Sequence, residues 1–474
     1  MCNLRQLRLG AFFSLCLLAN ASQAVPMVLT PQTIALPASA GAPLFADLDG
    51  DGLADLLVID PVAKTLLIHR QHADGFSASP DQTMALPKQT SWATVADVDA
   101  HPGPELLFST TTGLVYARQN GGVFETEFHT LIAANQVFTN FDVPVLAAPS
   151  TNDSIPVISA GQTVIYRRNS SYEWSPEPAL ALEVKQTTWR SAPDEWTLGS
   201  SPAHYLLARQ TFGVKLTNAL DKEPENEAVK KISDEIKHDS LMGYSRTNRL
   251  DVNGDGREDL VLWRVSGRLD FKTDIYIFLR GADQKLPPQP SQILHCSGFP
   301  IPTGSTHEPS PFVDLNGDGV CELVLLELKN SISTPSGMLD TALTHGIDWS
   351  LTVRTFSHGM FSRSADASLA VTAILPSGEL EDWPLFIKGD FNGDGRPDLV
   401  VRRNDTQWNI FCSTADGSWF APQPAMTFEA PRNGYVELRE LRGDGLADII
   451  WHEPNKAGVT IFMSPPRPTK GKNP

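Results

Sequence analysis

Short apolar segments separated by polar turns recur along the chain. In the first clear unit they cover residues 43–46, 56–59, 65–69 and 84–86, with an Asp-Gly loop between the first two. Short apolar runs bounded by turn residues are typical of β-strands, because amphipathic helices need longer runs with a period near 3.6. The pattern therefore predicts four short antiparallel strands in each unit.

The Asp-Gly loop returns at a regular distance. Full nine-residue copies read DLDGDGLAD from Asp47, DVNGDGRED from Asp251, DLNGDGVCE from Asp314 and DFNGDGRPD from Asp390. Partial copies read DVDAHPGPE from Asp97 and ELRGDGLAD from Glu440. We call each loop by the number of its first residue and count its positions from 1 to 9. Loops 47 and 97 start 50 residues apart, as do loops 390 and 440, which indicates a repeat of that length.

Two eroded copies fit between loops 97 and 251. They read PVISAGQTVIYRR from Pro156 and YLLARQTFGVKLTN from Tyr205. A four-stranded unit cannot bury both faces alone, and radial stacking of such units supplies the missing contacts. We therefore expect an all-β protein, a β-propeller of four-stranded antiparallel blades. Eight loop positions predict eight blades, and seven is the alternative if one eroded copy is false.

The two ends of the chain are predicted to meet in one blade. From Tyr435 onward only three strands can be read, at residues 435–438, 448–451 and 459–463. The segment 27–36 precedes the first loop and has a suitable apolar pattern. We expect it to supply the fourth strand and to close the ring.

Two segments interrupt the repeat. Residues 221–239 are highly charged, with a weak helical period at Val229, Ile232 and Ile236, and are interpreted as a surface insertion. Residues 331–382 contain the outer strands of one blade and a further insertion. Solvated excursions are the simplest interpretation of both.

The first 24 residues have the three parts of a secretory signal peptide. Arg5 and Arg8 precede an apolar run at residues 9–19, and small residues allow cleavage after Ala24 or after Ala21. No other stretch has the length of uncharged apolar sequence that a membrane span needs. The mature protein is therefore expected to be secreted, periplasmic or at the cell surface, with the propeller at residues 25–464 and a disordered tail at 465–474.

Composition and charge narrow the function classes. The 474 residues are 41% hydrophobic and 20% charged, as in ordinary globular proteins. With 38 basic and 55 acidic residues the formal charge is −17, which argues against nucleic-acid binding. After loss of Cys2 and Cys16 with the leader, Cys296, Cys321 and Cys412 remain. One bridge between Cys296 and Cys321 and three free thiols are both open interpretations.

The loops present oxygen ligands in the pattern that calcium takes. Side-chain oxygens at positions 1, 3, 5 and 9, with a backbone carbonyl at position 7, form a hard-ligand shell. Position 12, where an EF-hand has Glu, is apolar here, so the pattern indicates a strand-loop-strand site. A network of Asx turns without an ion is the alternative. The predicted ligands are Asp47, Asp49, Asp51, Leu53 and Asp55; Asp251, Asn253, Asp255, Arg257 and Asp259; Asp314, Asn316, Asp318, Val320 and Glu322; and Asp390, Asn392, Asp394, Arg396 and Asp398.

The two partial loops differ from this pattern. In loop 440, Arg442 stands at position 3 and is expected to fill the site itself, which predicts a loop without metal. In loop 97, His101 replaces the acid at position 5, and metal binding there is left open. The repetition of similar closed shells favours a structural role for the metal over a catalytic one.

The phrase D-x-[DN]-G-D-G-x-x-[DE] followed by an apolar strand resembles the FG-GAP/VCBS repeat family, which includes the β-propellers of integrin alpha subunits. Four units match strongly and two weakly. The resemblance implies calcium at the ligands named above and a propeller, usually of seven blades. Its members include adhesion subunits, sugar binders and extracellular scaffolds, and some related propellers belong to polysaccharide lyases.

Function is expected to lie in binding. The sequence has no HExxH, GxSxG or P-loop motif, and no paired-carboxylate motif outside the loops, so we expect no enzymatic activity. The leading hypothesis is an extracellular calcium-stabilised module that binds a protein or carbohydrate. A polysaccharide-acting enzyme and a structural component of a surface assembly are the alternatives.

Overall fold

The computed structural model describes most of the repeat region. Its described residues are 26–133, 145–146, 154–159, 162–176, 182–183, 226–239, 245–266, 271–301, 310–328, 347–374, 385–415, 417–431, 434–452 and 457–465. The expected leader, the tail from residue 466 and the eroded copy from Tyr205 lie outside them.

β-Strands dominate the described structure and form sheets of four or five strands. Sheet 1 contains Leu44–Ala46, Asp55–Asp60, Thr65–His69 and Gln82–Ala85. Sheet 2 contains Trp92–Ala96, Glu105–Thr110, Gly113–Ala117 and His129–Ala133, with Val145–Leu146 parallel to its first strand. Sheet 3 contains Ser154–Ser159, Gln162–Arg168, Trp174–Pro176 and Leu182–Glu183. The first eroded copy is therefore confirmed as a β-unit.

The second half of the chain repeats the arrangement. Sheet 4 contains Ser245–Leu250, Asp259–Ser266, Lys272–Phe278 and Gln292–Ser297. Sheet 5 contains Phe312–Val313, Glu322–Leu328, Ile347–Arg354 and Ala367–Ala373. Sheet 6 contains Leu385–Ile387, Leu399–Arg402, Gln407–Phe411 and Met426–Glu429. Sheet 7 has Tyr435–Arg439, Asp448–His452 and Val459–Phe462 as its first three strands and Pro31–Ile34 as its fourth.

Three short hairpins extend beyond the third strands. They pair Gln71–His72 with Gly75–Phe76, Gln119–Asn120 with Val123–Phe124, and Phe356–Ser357 with Met360–Phe361. Each ends in a phenylalanine that is buried against neighbouring sheets. In sheets 1 and 2 the residue just before the hairpin is an arginine that reaches the loops described below.

Neighbouring sheets in the chain pack face to face through apolar side chains. Sheets 4, 5 and 6 share one core, sheets 6 and 7 share a second, sheets 7 and 1 a third, and sheets 1, 2 and 3 follow in the same way. The second strand of each sheet supplies residues to both faces because its side chains alternate. These strands are almost fully buried, as in Asp55–Asp60. The described residues thus form seven sheets, and the second eroded copy, on which eight blades depended, is outside them.

An N-terminal strand completes the last sheet, as predicted. Pro31–Ile34 pairs antiparallel with Val459–Phe462, from Pro31 opposite Phe462 to Ile34 opposite Val459. Just before it, Met27–Val28 pairs parallel with the outer strand of sheet 6. The first described residues therefore tie two C-terminal sheets together.

The charged insertion differs from its expected form as a solvated excursion. A helix, α1, covers Glu227–Asp239, and Asn226 caps it by accepting the N–H groups of Ala228 and Val229 at 3.1 and 3.2 Å. Val229 is buried against Leu260 and other apolar residues on one face of sheet 4. The helix is thus part of the packed structure, because its apolar stripe covers a sheet face.

Two further expectations concern the cysteines and membrane-spanning segments. Cys296, Cys321 and Cys412 are free thiols, which excludes the bridge between Cys296 and Cys321. No helix in the described ranges is both long enough and apolar enough to cross a bilayer.

The closing strand supplies a stability test. Ile34 is 1% exposed within the core shared by sheets 7 and 1, whereas Val28 is 70% exposed. We expect Ile34→Ala to lower the free energy of unfolding by about 2–5 kcal/mol through the cavity it leaves. Val28→Ala is the matched control and should change it by less than about 0.5 kcal/mol. Equal effects in urea denaturation would contradict the closure by Pro31–Ile34.

Candidate metal loops

Six Asp-Gly loops lie at equivalent places in the fold. Each joins the first and second strands of its sheet, in sheets 1, 2, 4, 5, 6 and 7. Position 9 begins the second strand or directly precedes it. The predicted strand-loop-strand setting is therefore present.

The acid at position 1 organises the turn. In loop 314, Asp314 accepts the N–H of Gly317 on Oδ1 at 2.7 Å and that of Gly319 on Oδ2 at 2.9 Å. Equivalent bonds occur in loops 47, 251 and 390. Both glycines have positive φ, of 78° and 83°, which side chains with a Cβ rarely adopt. The glycines therefore let the backbone wrap around the first carboxylate.

The acid at position 9 is buried beneath the loop. Asp398 accepts the N–H of Phe391 on Oδ2 and that of Ser413 on Oδ1, both at 2.7 Å. Its burial raises its pKa to about 7, with the Asp390 and Asp394 carboxylates acting in the same direction. Burial likewise raises the pKa of Glu322 to about 7 and raises that of Asp259. A positive charge in the loop would stabilise these carboxylates in their ionised form.

The acids at positions 1, 3 and 5 converge in loop 47. Ligand oxygens of Asp47, Asp49 and Asp51 lie within 4.8 Å of one another, and all three residues are exposed. They offer the hard oxygen ligands that Ca²⁺ takes. In loops 251, 314 and 390 an asparagine stands at position 3, and its side-chain nitrogen lies 3.0–3.3 Å from the position-5 carboxylate. Its oxygen accepts the position-5 N–H in the same loops.

The predicted position-7 residues have a different visible role. Their backbone N–H groups donate to the position-5 acid, as Val320 does to Asp318 at 2.8 Å. The side chains of Arg257 and Arg396 also approach the position-5 acids of their loops. Metal coordination by the position-7 carbonyls stays a prediction.

The loops differ in whether a positively charged side chain lies within ion-pair distance of the position-9 acid. Among the described residues, no lysine, arginine or histidine nitrogen lies within 4.0 Å of the carboxylates of Asp259, Glu322 or Asp398. In loop 440, by contrast, Arg442 Nη2 lies 2.9 Å from Asp448 Oδ1 and 3.5 Å from Asp444 Oδ2. Arg442 thus occupies its loop, as its position predicted.

Sequence reasoning missed three other arginines. Arg70 Nη1 lies 2.5 Å from Asp55 Oδ2 and 3.7 Å from Asp49 Oδ2. In loop 97, Asp99 accepts Arg118 Nε at 2.6 Å, and Asp97 pairs with Arg168 at 3.2 Å. The pair Arg-Gln follows the third strand in both sheets 1 and 2, as Arg70-Gln71 and Arg118-Gln119, and this recurrence was the available signal. In loop 97 the acids at positions 1 and 3 are thus each paired with an arginine, whereas the buried Glu105 at position 9 has no ion-pair partner among the described residues.

Adjacent loops are hydrogen-bonded to each other through their backbones. The N–H at position 8 donates to the preceding loop from Ala54 to Leu441 at 2.8 Å, from Cys321 to Val252 at 3.0 Å and from Ala447 to Asp390 at 2.7 Å. Loops 97 and 390 have proline at position 8 and so have no donor there. Along this rim of the sheets, backbone bonds therefore link loop 390 to loop 440 and loop 440 to loop 47, and separately loop 251 to loop 314.

Comparison with known families agrees with the repeat motif. Residues 390–451 match the model of a family described as FG-GAP-like repeat, and this segment is an FG-GAP-like repeat. The match starts at position 1 of loop 390 and includes all of loop 440. FG-GAP repeats imply a propeller, and the oxygen-only donor set fits Ca²⁺ in loops 251, 314 and 390. A search of curated proteins gave no significant match.

The contact between loops predicts different costs for two glycines. A Cβ on Gly254 would lie 2.9 Å from the carbonyl oxygen of Gly319 in the next loop, whereas one on Gly317 would meet nothing within 4 Å. Both have positive φ, so Gly317→Ala should cost about 1 kcal/mol. Gly254→Ala should cost about 1–3 kcal/mol more, because the next loop must move. Equal losses in thermal unfolding would argue against the contact.

Proposed function

We propose that this chain is an exported, calcium-stabilised β-propeller of seven or eight blades that acts as a binding or scaffold module for a protein or carbohydrate partner. One observation carries the calcium assignment: sheets 4, 5 and 6 repeat the same loop, and its buried acid at position 9 has no positive side chain within ion-pair distance among the described residues. Calcium supplies the missing charge with the ligand type that these loops present.

The ring arrangement is supported by packing and by the chain ends. The sheets follow one another in sequence order through shared cores, from sheet 4 through sheet 7 to sheets 1, 2 and 3. Pro31–Ile34 completes sheet 7, which also packs on sheet 1. A propeller closed by strands from both ends accounts for these contacts, because an open row of sheets would not place the first sheet against the last.

A binding role fits the chemistry of the loops better than catalysis does. The buried acids with raised pKa, such as Asp398 and Glu322, accept backbone N–H groups beneath their own loops. Carboxylates held in this way position the backbone of their own loops. A polysaccharide-acting enzyme on the same scaffold is the alternative, and release of products from acidic polysaccharides would establish it.

Export and partner class rest on the sequence. The leader-like residues 1–24 favour a location outside the cytoplasm, where calcium is abundant. The formal charge of −17 disfavours nucleic acid and other polyanions as partners. Proteins and neutral carbohydrates are the partner classes that remain.

Calcium dependence is tested by melting the mature protein with Ca²⁺ and with excess chelator. An ion that binds only the folded state stabilises it by about 2.7 kcal/mol per site at 100 times its Kd, so chelation should lower the Tm. Asp318→Asn should remove part of this shift and one bound Ca²⁺, because Asp318 is a position-5 ligand.

Asp444→Asn is the matched control, since it changes the same position in the loop that Arg442 occupies. It should leave the chelator-sensitive shift unchanged. An identical Tm with and without chelator in the wild-type protein would overturn the calcium assignment.

The partner class is tested on a glycan array and against immobilised extracellular proteins, with Ca²⁺ and with chelator. We expect saturable binding that weakens on chelation, because the loops order one rim of the sheets. Turnover of a polysaccharide by the purified chain would replace the binding proposal by the enzymatic alternative.

A further inference from the structure

Arginine reaches the acids at position 3 or 9 of three loops by two separate routes, whereas Arg257 and Arg396 approach the position-5 acids of their own loops. In loop 440 it comes from within the loop, where Arg442 at position 3 contacts the acids at positions 5 and 9. In loops 47 and 97 it comes from the third strand of the same sheet, as Arg70 and Arg118. Two different sequence positions thus place a guanidinium among the loop carboxylates.

Arg70 and Arg118 occupy one structural position. Strand register pairs Leu56 with His69 and Leu106 with Ala117, and in each sheet the arginine is the next residue. By the same register, the equivalent residues of sheets 4, 5, 6 and 7 are Leu279, Thr355, Cys412 and Met463. These four are uncharged, so sheets 4, 5 and 6 have no arginine from either route.

The arginine side chains bind the same carboxylate oxygens that would coordinate a metal ion. Arg442 Nη2 bonds Asp448 Oδ1, whose other oxygen accepts the Leu441 N–H. In loop 97, Asp97 is paired with Arg168 and Asp99 with Arg118, while His101 replaces the position-5 acid. Each guanidinium removes ligand oxygens and repels a divalent cation at short range.

Loop 47 is intermediate between the two groups. Arg70 is bound to Asp55, and Asp49 lies 3.7 Å from the same nitrogen. Asp47, Asp49 and Asp51 still converge and are exposed. A cation bound by these three would lack Asp55 and lie near a positive charge, which weakens its binding.

We infer that arginine replaces calcium in loops 97 and 440 and weakens it in loop 47, so that tight calcium binding is confined to the three adjacent sheets 4, 5 and 6. This inference rests on the proposed calcium binding. It assigns Arg442, Arg118, Arg168 and Arg70 as built-in cations. The loops of sheets 4, 5 and 6 thus depend on calcium for a counter-charge, whereas in the neighbouring sheets 7, 1 and 2 arginine side chains supply it.

Reciprocal changes at position 3 test the inference by calcium titration of the full mature chain in a calorimeter. The wild type should bind three Ca²⁺ tightly and a fourth at loop 47 at least about tenfold more weakly. Arg442→Asn should add one site, because it leaves Glu440, Asp444 and Asp448 around an amide. Asn253→Arg should remove one tight site, because it copies loop 440 into loop 251.

Arg396→Gln is the control for arginines near the loops. Arg396 lies at position 7 and is 3.9 Å from Asp394, so its removal should keep the number of sites unchanged. Hydrogen exchange with and without chelator provides a second readout that does not depend on counting ions. Chelation should speed exchange at Gly256, Gly319 and Gly395, and leave Gly445 unchanged.

The outcomes separate the inference from the proposal beneath it. A wild type that binds no Ca²⁺ overturns both. A wild type that binds Ca²⁺, with equal stoichiometry in Arg442→Asn and Asn253→Arg, overturns the inference alone. Faster exchange at Gly445 on chelation also overturns it, even if one variant fails to fold.

Discussion

A buried carboxylate at the ninth loop position joins strand ends in six of the seven described sheets. In all six loops it accepts the N–H of position 2, which lies two to four residues beyond the end of the first strand. In four sheets its second oxygen accepts an N–H just beyond the third strand, from Gln71, Arg280, Ser413 and Ser464. One side chain thus joins three strand ends. Hydrogen bonds to a charged acceptor are about twice as strong as those to a neutral one. Burying the charge away from water costs free energy, which offsets part of this gain.

The cost of burying this charge explains why the loops bring further polar or charged groups close to the position-9 acid. Where burial dominates, the pKa of the acid rises, as it does for Asp398. Where an arginine is present, its charge counteracts part of that rise, as Arg70 does for Asp55. The salt bridge in loop 440 and the metal ion proposed for loops 251, 314 and 390 are therefore two solutions to one electrostatic problem. The choice between them is local, because each loop is completed by residues of its own sheet or the next.

Much of this organisation was predictable because it depends on local patterns. The strand at Thr65–His69 and the three strands from Tyr435 onward follow from short apolar runs and turns, and the N-terminal strand follows from a missing fourth strand. Arg442 was recognisable because it lies inside the motif. Arg70 and Arg118 were not, because their role depends on where the end of the third strand lies in space. Helix α1 was read as solvated, since its charge pattern did not show that sheet 4 leaves an apolar face beside it.

The pairing of Pro31–Ile34 with Val459–Phe462 has a consequence for the order of assembly. Apart from Met27–Val28, which pairs with sheet 6, the other described sheets are built from strands that are close in sequence, and their loops close at small entropic cost. Sheet 7 joins residues from opposite ends of the described chain, so it can form only after the whole repeat region has been synthesised. Until then, sheet 1 exposes the apolar face that sheet 7 covers. The nascent protein must therefore be kept from aggregating through that face while its C-terminal strands are still missing.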